Sequence, residues 1–270
     1  MSLEIRELTI DIRGRRLVDR VSLEVADGER LGLIGESGSG KSLTALAVLG
    51  LLPAGALARG SIRLDGRELL GLPDRELARV RGKRIGIVFQ EPRAALNPTR
   101  RVGAQIAEAL RIHYEISRAD ALARAVALAE RVRLPEPARI VDRYPHQLSG
   151  GQCQRIAIAI ALATGPRLVI ADEPTTALDV TVQASILELF TDVVTDHGAA
   201  LLFITHDIAV LARVAERAIV LAAGRVVERA PVDALITAPR EQISRRLVEA
   251  ARATSWRPAG SPADTREVAG

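Results

Sequence analysis

The sequence predicts an α/β fold: a mainly parallel sheet, an antiparallel β subdomain at the N-terminus and an inserted helical subdomain. Three observations carry that expectation. A short apolar run, Leu31 to Ile34, passes through a glycine-rich loop into a helical pattern. From Glu91 to Pro166 the apolar period turns helical. The β period then returns at Leu168 to Ala171, Ala200 to Thr205 and Ala218 to Ala222, each stretch followed by a turn or helix, as in parallel βαβ units.

In chain order, Leu8, Ile10 and Ile12 share one face of a first strand, and Val21, Leu23 and Val25 one face of a second, with a turn at Asp27-Gly28. Ser42 to Leu52 reads as a helix stopped by Pro53 and Gly55. Ser61 to Leu64 and Ile85 to Phe89 read as strands, separated by a turn at Asp65-Gly66 and a short helix near Asp74 to Val80. In the insertion, Ile106, Ala109 and Leu110, then Leu122, Ala125, Val126 and Ala129, recur at helical spacing, punctuated by Pro135, Pro137 and Pro145. Residues 255–270 are rich in Pro, Gly, Ala, Ser and charge without periodicity, and are expected to be disordered. The expected organisation is a core of 1–90 and 166–236, a helical subdomain of 91–165, a helical extension of 237–254 and the tail.

Composition narrows the function. Hydrophobic residues make up 48% and aromatics 2%, so the core must be aliphatic. Apolar runs such as Ile156 to Ala163 fall short of the roughly 18 residues of a membrane helix. Glu4 follows Met1 closely with no basic lead into an apolar block, so a secretory signal is not expected and the cytoplasm is. Cys153, the single cysteine, can form neither an internal disulfide nor, alone, a metal site. The formal charge of +4 is spread as arginines among acids, which points to a solvated surface rather than a nucleic-acid face. Only two of 37 basic residues are lysines, Lys41 and Lys83.

The loop Gly35-Glu36-Ser37-Gly38-Ser39-Gly40-Lys41-Ser42 matches the phosphate-binding pattern G-x-x-x-x-G-K-[ST] between a strand and a helix. Its glycines let successive N–H groups face a phosphate, and the helix that follows adds the positive end of its dipole. Lys41 is expected to reach the β and γ phosphates of ATP, and Ser42 to hold Mg²⁺. Leu168 to Ala171 leads into two carboxylates, Asp172 and Glu173, which alternate along a strand. Asp172 is expected in the magnesium shell and Glu173 as general base for the attacking water.

Leu148-Ser149-Gly150-Gly151-Gln152 opens a further helical run, read from Cys153 to Ala163, and supplies a second set of anion-binding groups. Here the chain resembles the ABC ATPases, whose signature is LSGGQ. Gln90 matches that family's glutamine loop, Ala177-Leu178-Asp179 its D-loop, and His206 its switch histidine. The resemblance covers about residues 3 to 250. It implies a P-loop (RecA-like) core, Gln90 beside Ser42 and Asp172 at Mg²⁺, and His206 as γ-phosphate sensor. It also implies an ATP-clamped pair, in which Ser149 to Gln152 of one chain meet ATP on a second ATPase subunit, a second copy or a related chain. The family usually stacks an aromatic of the early hairpin on adenine. Ile10 to Arg16 has none, leaving Ile12 or Arg13 for that place.

Arg93 to Pro98 with Arg101 to Gly103, Tyr144-Pro145-His146, and Ala171 to Gln183 resemble the oligopeptide, dipeptide and nickel import subgroup. That implies an ATP-hydrolysing subunit peripheral to the cytoplasmic face of the inner membrane. Its implied partners are two transmembrane permease subunits and, indirectly, an extracytoplasmic solute-binding protein. The extension departs from the peptide members, since Pro239 is followed by Arg240-Glu241-Gln242 instead of His-Pro-Tyr-Thr, which keeps nickel or a metal chelate open beside peptides. A soluble ABC ATPase acting on DNA or ribosomes is the other class considered. One motif set, with no heptads and no cysteine pairs, disfavours it, and no nucleic-acid partner is expected.

Overall fold

The computed structural model describes residues 2–176 and 178–253; the expected tail, Trp256 and Ala177 lie outside them, as do the side chains of Val193 and His197. An antiparallel sheet is built from β1 (Leu3–Ile12), β2 (Arg15–Val25), β4 (Ala56–Leu64) and β5 (Arg67–Glu68), in the order β2-β1-β4-β5. Leu3 and Ile5 are buried, and so are Leu8 and Ile10, although the parity changes between the pairs. A register irregularity between Ile5 and Leu8, with Glu7 at φ 48°, inserts the residue that keeps both pairs on one face. At the β4–β5 turn, Asp65 and Gly66 both have positive φ, as Asp-Gly hairpin turns require.

The second sheet runs β10-β9-β3-β8-β7-β6, with β3 (Arg30–Ile34), β6 (Ile85–Val88), β7 (Leu168–Asp172), β8 (Ala200–Thr205), β9 (Arg217–Ala222) and β10 (Arg225–Pro231). Strands β9, β3, β8, β7 and β6 are parallel neighbours, and β10 is an antiparallel edge strand. Its alternation splits the core. Val169, Ala171, Leu201 and Phe203 pack on the helical side, and Leu168, Ile170, Leu202 and Ile204 on the side of the antiparallel sheet. Phe203 meets Phe190 edge-on, with ring centroids 6.1 Å apart.

Helix α1 (Lys41–Leu49) stops three residues short of the expected Leu52. Gly50 takes φ 65°, and the N–H groups of Gly50 and Leu51 donate to Ala47 and Leu46, a glycine C-cap that ends the helix before Pro53 can. Helix α2 (Asp74–Val80) falls where expected. The insertion holds α3 (Pro92–Ala95), α4 (Val102–His113), α5 (Arg118–Arg131), α6 (Pro137–Ile140) and α7 (Gly150–Leu162). Helix α7 begins three residues before the expected Cys153, because Ser149 caps it. Cys153 itself is fully buried there with its S–H directed at the Pro145 carbonyl, and burial pushes its thiol pKa up against the pull of Arg93. The core is completed by α8 (Val180–His197), α9 (Ile208–Val214), α10 (Val232–Thr237) and α11 (Gln242–Ala253).

Helix α11 packs Ile243, Leu247, Val248 and Ala251 into the core and contacts α9. Its entry is fixed by Glu228 of β10, a buried carboxylate that accepts from the backbone N–H of Arg240 (3.0 Å) and Glu241 (3.1 Å) and from the Ser244 hydroxyl (2.5 Å).

Candidate functional site

The phosphate loop joins β3 to α1 at the C-terminal edge of the parallel strands, where neighbouring β7 and β8 also deliver their last residues. A Cβ on Gly35 would lie 2.2 Å from the Leu221 carbonyl oxygen, so only glycine lets the loop turn this tightly against β9. Lys41 is 5% exposed, and its ammonium donates to the carbonyls of Gly35 (2.7 Å) and Glu36 (3.0 Å) and to the Ser39 hydroxyl (3.5 Å). Burial lowers the Lys41 pKa, while Glu173 and Asp172 pull it upward. The loop therefore holds a cation inside a ring of backbone dipoles, with Ser37 and Gly38 at its exposed outer turn.

Ser42, in the first turn of α1, donates its hydroxyl to Asp172 Oδ1 at 3.1 Å. Burial raises the Asp172 pKa; the Ser42 bond opposes that, Glu173 adds to it, and Lys41 opposes it. The hydroxyl and the carboxylate thus converge on one point, and both are hard oxygen donors of the kind Mg²⁺ accepts alongside phosphate oxygens and water. The donor set fits that ion.

Glu173 follows β7 with φ 46°, an uncommon conformation for a non-glycine residue and one that turns its side chain away from that of Asp172. Its Oε1 lies 3.1 Å from His206 Nδ1, and its Oε2 accepts from the Thr176 hydroxyl at 3.1 Å. Asp172 and Glu173 therefore face different partners, through the turn after β7 rather than the strand alternation expected, and the fold brings Lys41, Ser42, Asp172, Glu173 and His206 together from three adjacent strands.

The signature residues lie elsewhere. Leu148 is buried, Ser149 is the N-cap of α7, and Gln152 completes a capping box: its N–H donates to Ser149 Oγ (3.2 Å) and its side chain accepts from Ser149 N–H (3.0 Å). Gly150 and Gly151 form the half-buried first turn, with Gly151 pressed on Val182 at the start of α8. Asp179 caps α8 by accepting from Val182 N–H at 3.0 Å. Among the described residues, no hydrogen bond or ion pair links residues 148–152 to the phosphate loop.

Gln90 is exposed just after β6, and among the described residues no hydrogen bond joins it to Ser42 or Asp172. Arg13, proposed with Ile12 near the base, stands at the exposed hairpin tip with φ 48°. Three features escaped the sequence reading: Thr176 on Glu173, the capping box at Ser149, and Arg246 of α11, whose guanidinium is 3.4 Å from Glu36 of the phosphate loop. The last pair is more than half exposed on both sides, so its strength is modest.

A family model described as ABC transporter matches residues 18–176. The probable peptide ABC transporter ATP-binding protein y4tR of Sinorhizobium fredii is 46% identical over 91% of this chain and 75% of its own length. The oligopeptide transport ATP-binding protein OppD of Bacillus subtilis is 46% identical over 88% of this chain and 68% of its own. The peptidoglycan transport ATP-binding protein YejF of Agrobacterium fabrum is 47% identical over 86% of this chain, which spans only 43% of that longer relative. Among solved structures, the dimeric post-hydrolysis state of the ATP-binding cassette MJ0796 bound to ADP and Pi superposes with a TM-score of 0.75 at 31% identity, over 85% of this chain and 98% of that one.

Proposed function

The chain belongs to the ABC transporter family, and on that premise we propose that it is the ATP-binding and hydrolysing motor subunit of a peptide importer. The observation that carries the proposal is the placement of two pairs, Ser42 with Asp172 and Glu173 with His206, beside a buried Lys41.

In this reading Lys41 leaves its carbonyl ring for the β and γ phosphates, and the N–H groups of residues 35–42 surround them. Ser42 and Asp172, with Gln90 as a further ligand, would hold Mg²⁺, which would supply positive charge against that of the phosphates. Glu173, held at one oxygen by His206 and at the other by Thr176, accepts the proton of the water whose oxygen bonds to the γ phosphorus. The bond from that phosphorus to the β-γ bridging oxygen breaks, and ADP and phosphate leave. His206 is half exposed and 3.1 Å from Glu173, which supports a role as sensor of the γ phosphate. Residues 148–152, separate from their own phosphate loop, supply a capped helix N-terminus to ATP held by a second ATPase subunit.

The names of y4tR and OppD support peptides as cargo; nickel, and the soluble reading on DNA or ribosomes, gain no support from them. Among the described residues no helix is long and apolar enough to cross a membrane, so attachment to the cytoplasmic face would run through two permease chains, with a solute-binding protein on the far side. The core, helical subdomain and extension of the sequence reading serve as the motor's working units. The test is to solubilise native membranes in mild detergent, capture the tagged chain and assay labelled peptide uptake. Two multispan proteins with a second ATPase, and uptake lost on deletion, are the expected result. Capture of ribosomal or DNA-bound partners alone would overturn it.

A further inference from the structure

Gln154 is fully buried, and neither its amide nitrogen nor its amide oxygen has a hydrogen-bond partner among the described residues. It stands on α7 one turn beyond Gly150 and lines a cavity of about 290 Å³. Three segments supply the other walls: Gln90 to Arg93, Gly150, and Pro174 with Leu178. Each borders a group of the proposed reaction. Gln90 belongs to the first, Gly150 to the signature, and Pro174 directly follows Glu173. The first two are already tied, since Arg93 donates to the Leu148 carbonyl at 2.9 Å.

An amide buried with both halves unpaired is disfavoured against an apolar side chain of the same shape, and buried polar groups are paired almost without exception. Gln154 therefore calls for a second arrangement in which its donor and acceptor are used. The cavity provides the room, and Gln90 to Arg93, Pro174 and Leu178 line it.

We infer that Gln154 is a positioning residue for hydrolysis, pairing with the backbone of Gln90 to Arg93 and of Pro174 or Leu178 when the ATP-bound pair closes and so fixing Gln90 relative to Glu173. The inference rests on the ATPase reading above and adds to it the residue that carries movement of the helical subdomain to the general base. Gln154 acts through these segments and touches no reacting atom.

The test uses the full chain with Gln154→Met, which keeps length and volume but removes both polar groups. Steady-state kinetics should show kcat lowered about ten-fold or more with KM for ATP within about two-fold of the parent, because the pairing forms after ATP binds. Thermal midpoint should be equal or higher, since the unpaired amide is gone. Gln154→Glu retains the acceptor and regains a donor when protonated, so its kcat relative to the Met variant should rise on acidification.

Parental kcat in the Met variant would overturn the inference and leave the amide a liability of the core or a water ligand. A fall in kcat together with thermal midpoint and a raised KM would also overturn it, in favour of a packing role. A parent chain without ATP hydrolysis would instead bring down the reading on which the inference rests, an outcome distinct from an active parent with an unimpaired Met variant.

Discussion

Lys41 shows how much of the site depends on single side chains. Its buried ammonium is matched by carbonyl oxygens of its own loop and, among the described residues, by no carboxylate at ion-pair distance, so its charge is available to a phosphate. Lys41→Ala should weaken ATP binding about ten-fold to a hundred-fold, the scale of one charge-assisted contact, in a nucleotide titration. Burial lowers the Lys41 pKa, so its charge is lost at a lower pH than that of a free lysine. The parent's ATP affinity should then weaken as pH rises toward that depressed value, and the Lys41→Ala variant should lack that slope. Glu173 is the complementary case. Glu173→Gln keeps the shape and the Thr176 contact but cannot take a proton, so hydrolysis should fall roughly 10²- to 10⁴-fold while ATP still binds. Undiminished turnover would remove Glu173 from the role of base.

Elements were legible where period and punctuation agreed. Helix α2 and strands β7, β8 and β9 lie within a residue of their sequence-based limits, because the strands are short continuous apolar runs and α2 buries Leu77 and Val80 at helical spacing. Helix α1 was read three residues too long because its apolar pattern runs on to Leu52, whereas the Gly50 cap is set by backbone hydrogen bonding. Helix α7 was read three residues too short because the serine and glycines of the signature look like a loop until Ser149 and Gln152 close a capping box. The edge strand β10 left no apolar alternation to find, with Glu228 its one buried residue. The site followed the same rule: sequence order named Lys41, Ser42, Asp172, Glu173 and His206, but nothing in it placed Thr176, Gln154 or Arg246. The Glu228 contact with α11 was equally hidden, since it joins residues 12 to 16 apart through backbone N–H groups and a hydroxyl. Burial pushes the Glu228 pKa up, but its hydrogen bonds from Ser244, Arg240 and Glu241 outweigh that and leave it below the usual 4.5. Its folded pKa is depressed, so the stability it contributes is present above the unfolded value and is lost as pH falls through the folded one. Glu228→Ala should cost about 1–3 kcal/mol by removing the acceptor of one buried and two part-buried donors, and should speed proteolysis ahead of α11. Unchanged cleavage would mean that the apolar face of α11 suffices.

At the scale of the molecule, the phosphate loop and the signature are two halves of different sites, and complementation tests this directly. A Cβ on Gly150 meets only Leu178, at 3.6 Å, and an acid suits a first helical turn, so Gly150→Asp should fold while repelling a partner's phosphate. At an ATP concentration that fills the parent but not the Lys41→Ala site, chains carrying Lys41→Ala or Gly150→Asp should each hydrolyse little ATP alone. Mixed, they form pairs in which one site joins the intact loop to the intact signature, and about a quarter of parental hydrolysis should return if pairing is random and sites are independent. No recovery on mixing would argue against composite sites between two copies of this chain. Cys153, the sole sulfhydryl of the sequence, is sealed in the helical block with a raised pKa. An alkylating reagent can reach it only through a transient breach of that block, so the labelling half-time is a clock for breathing motions of this one lobe, needing no engineered probe.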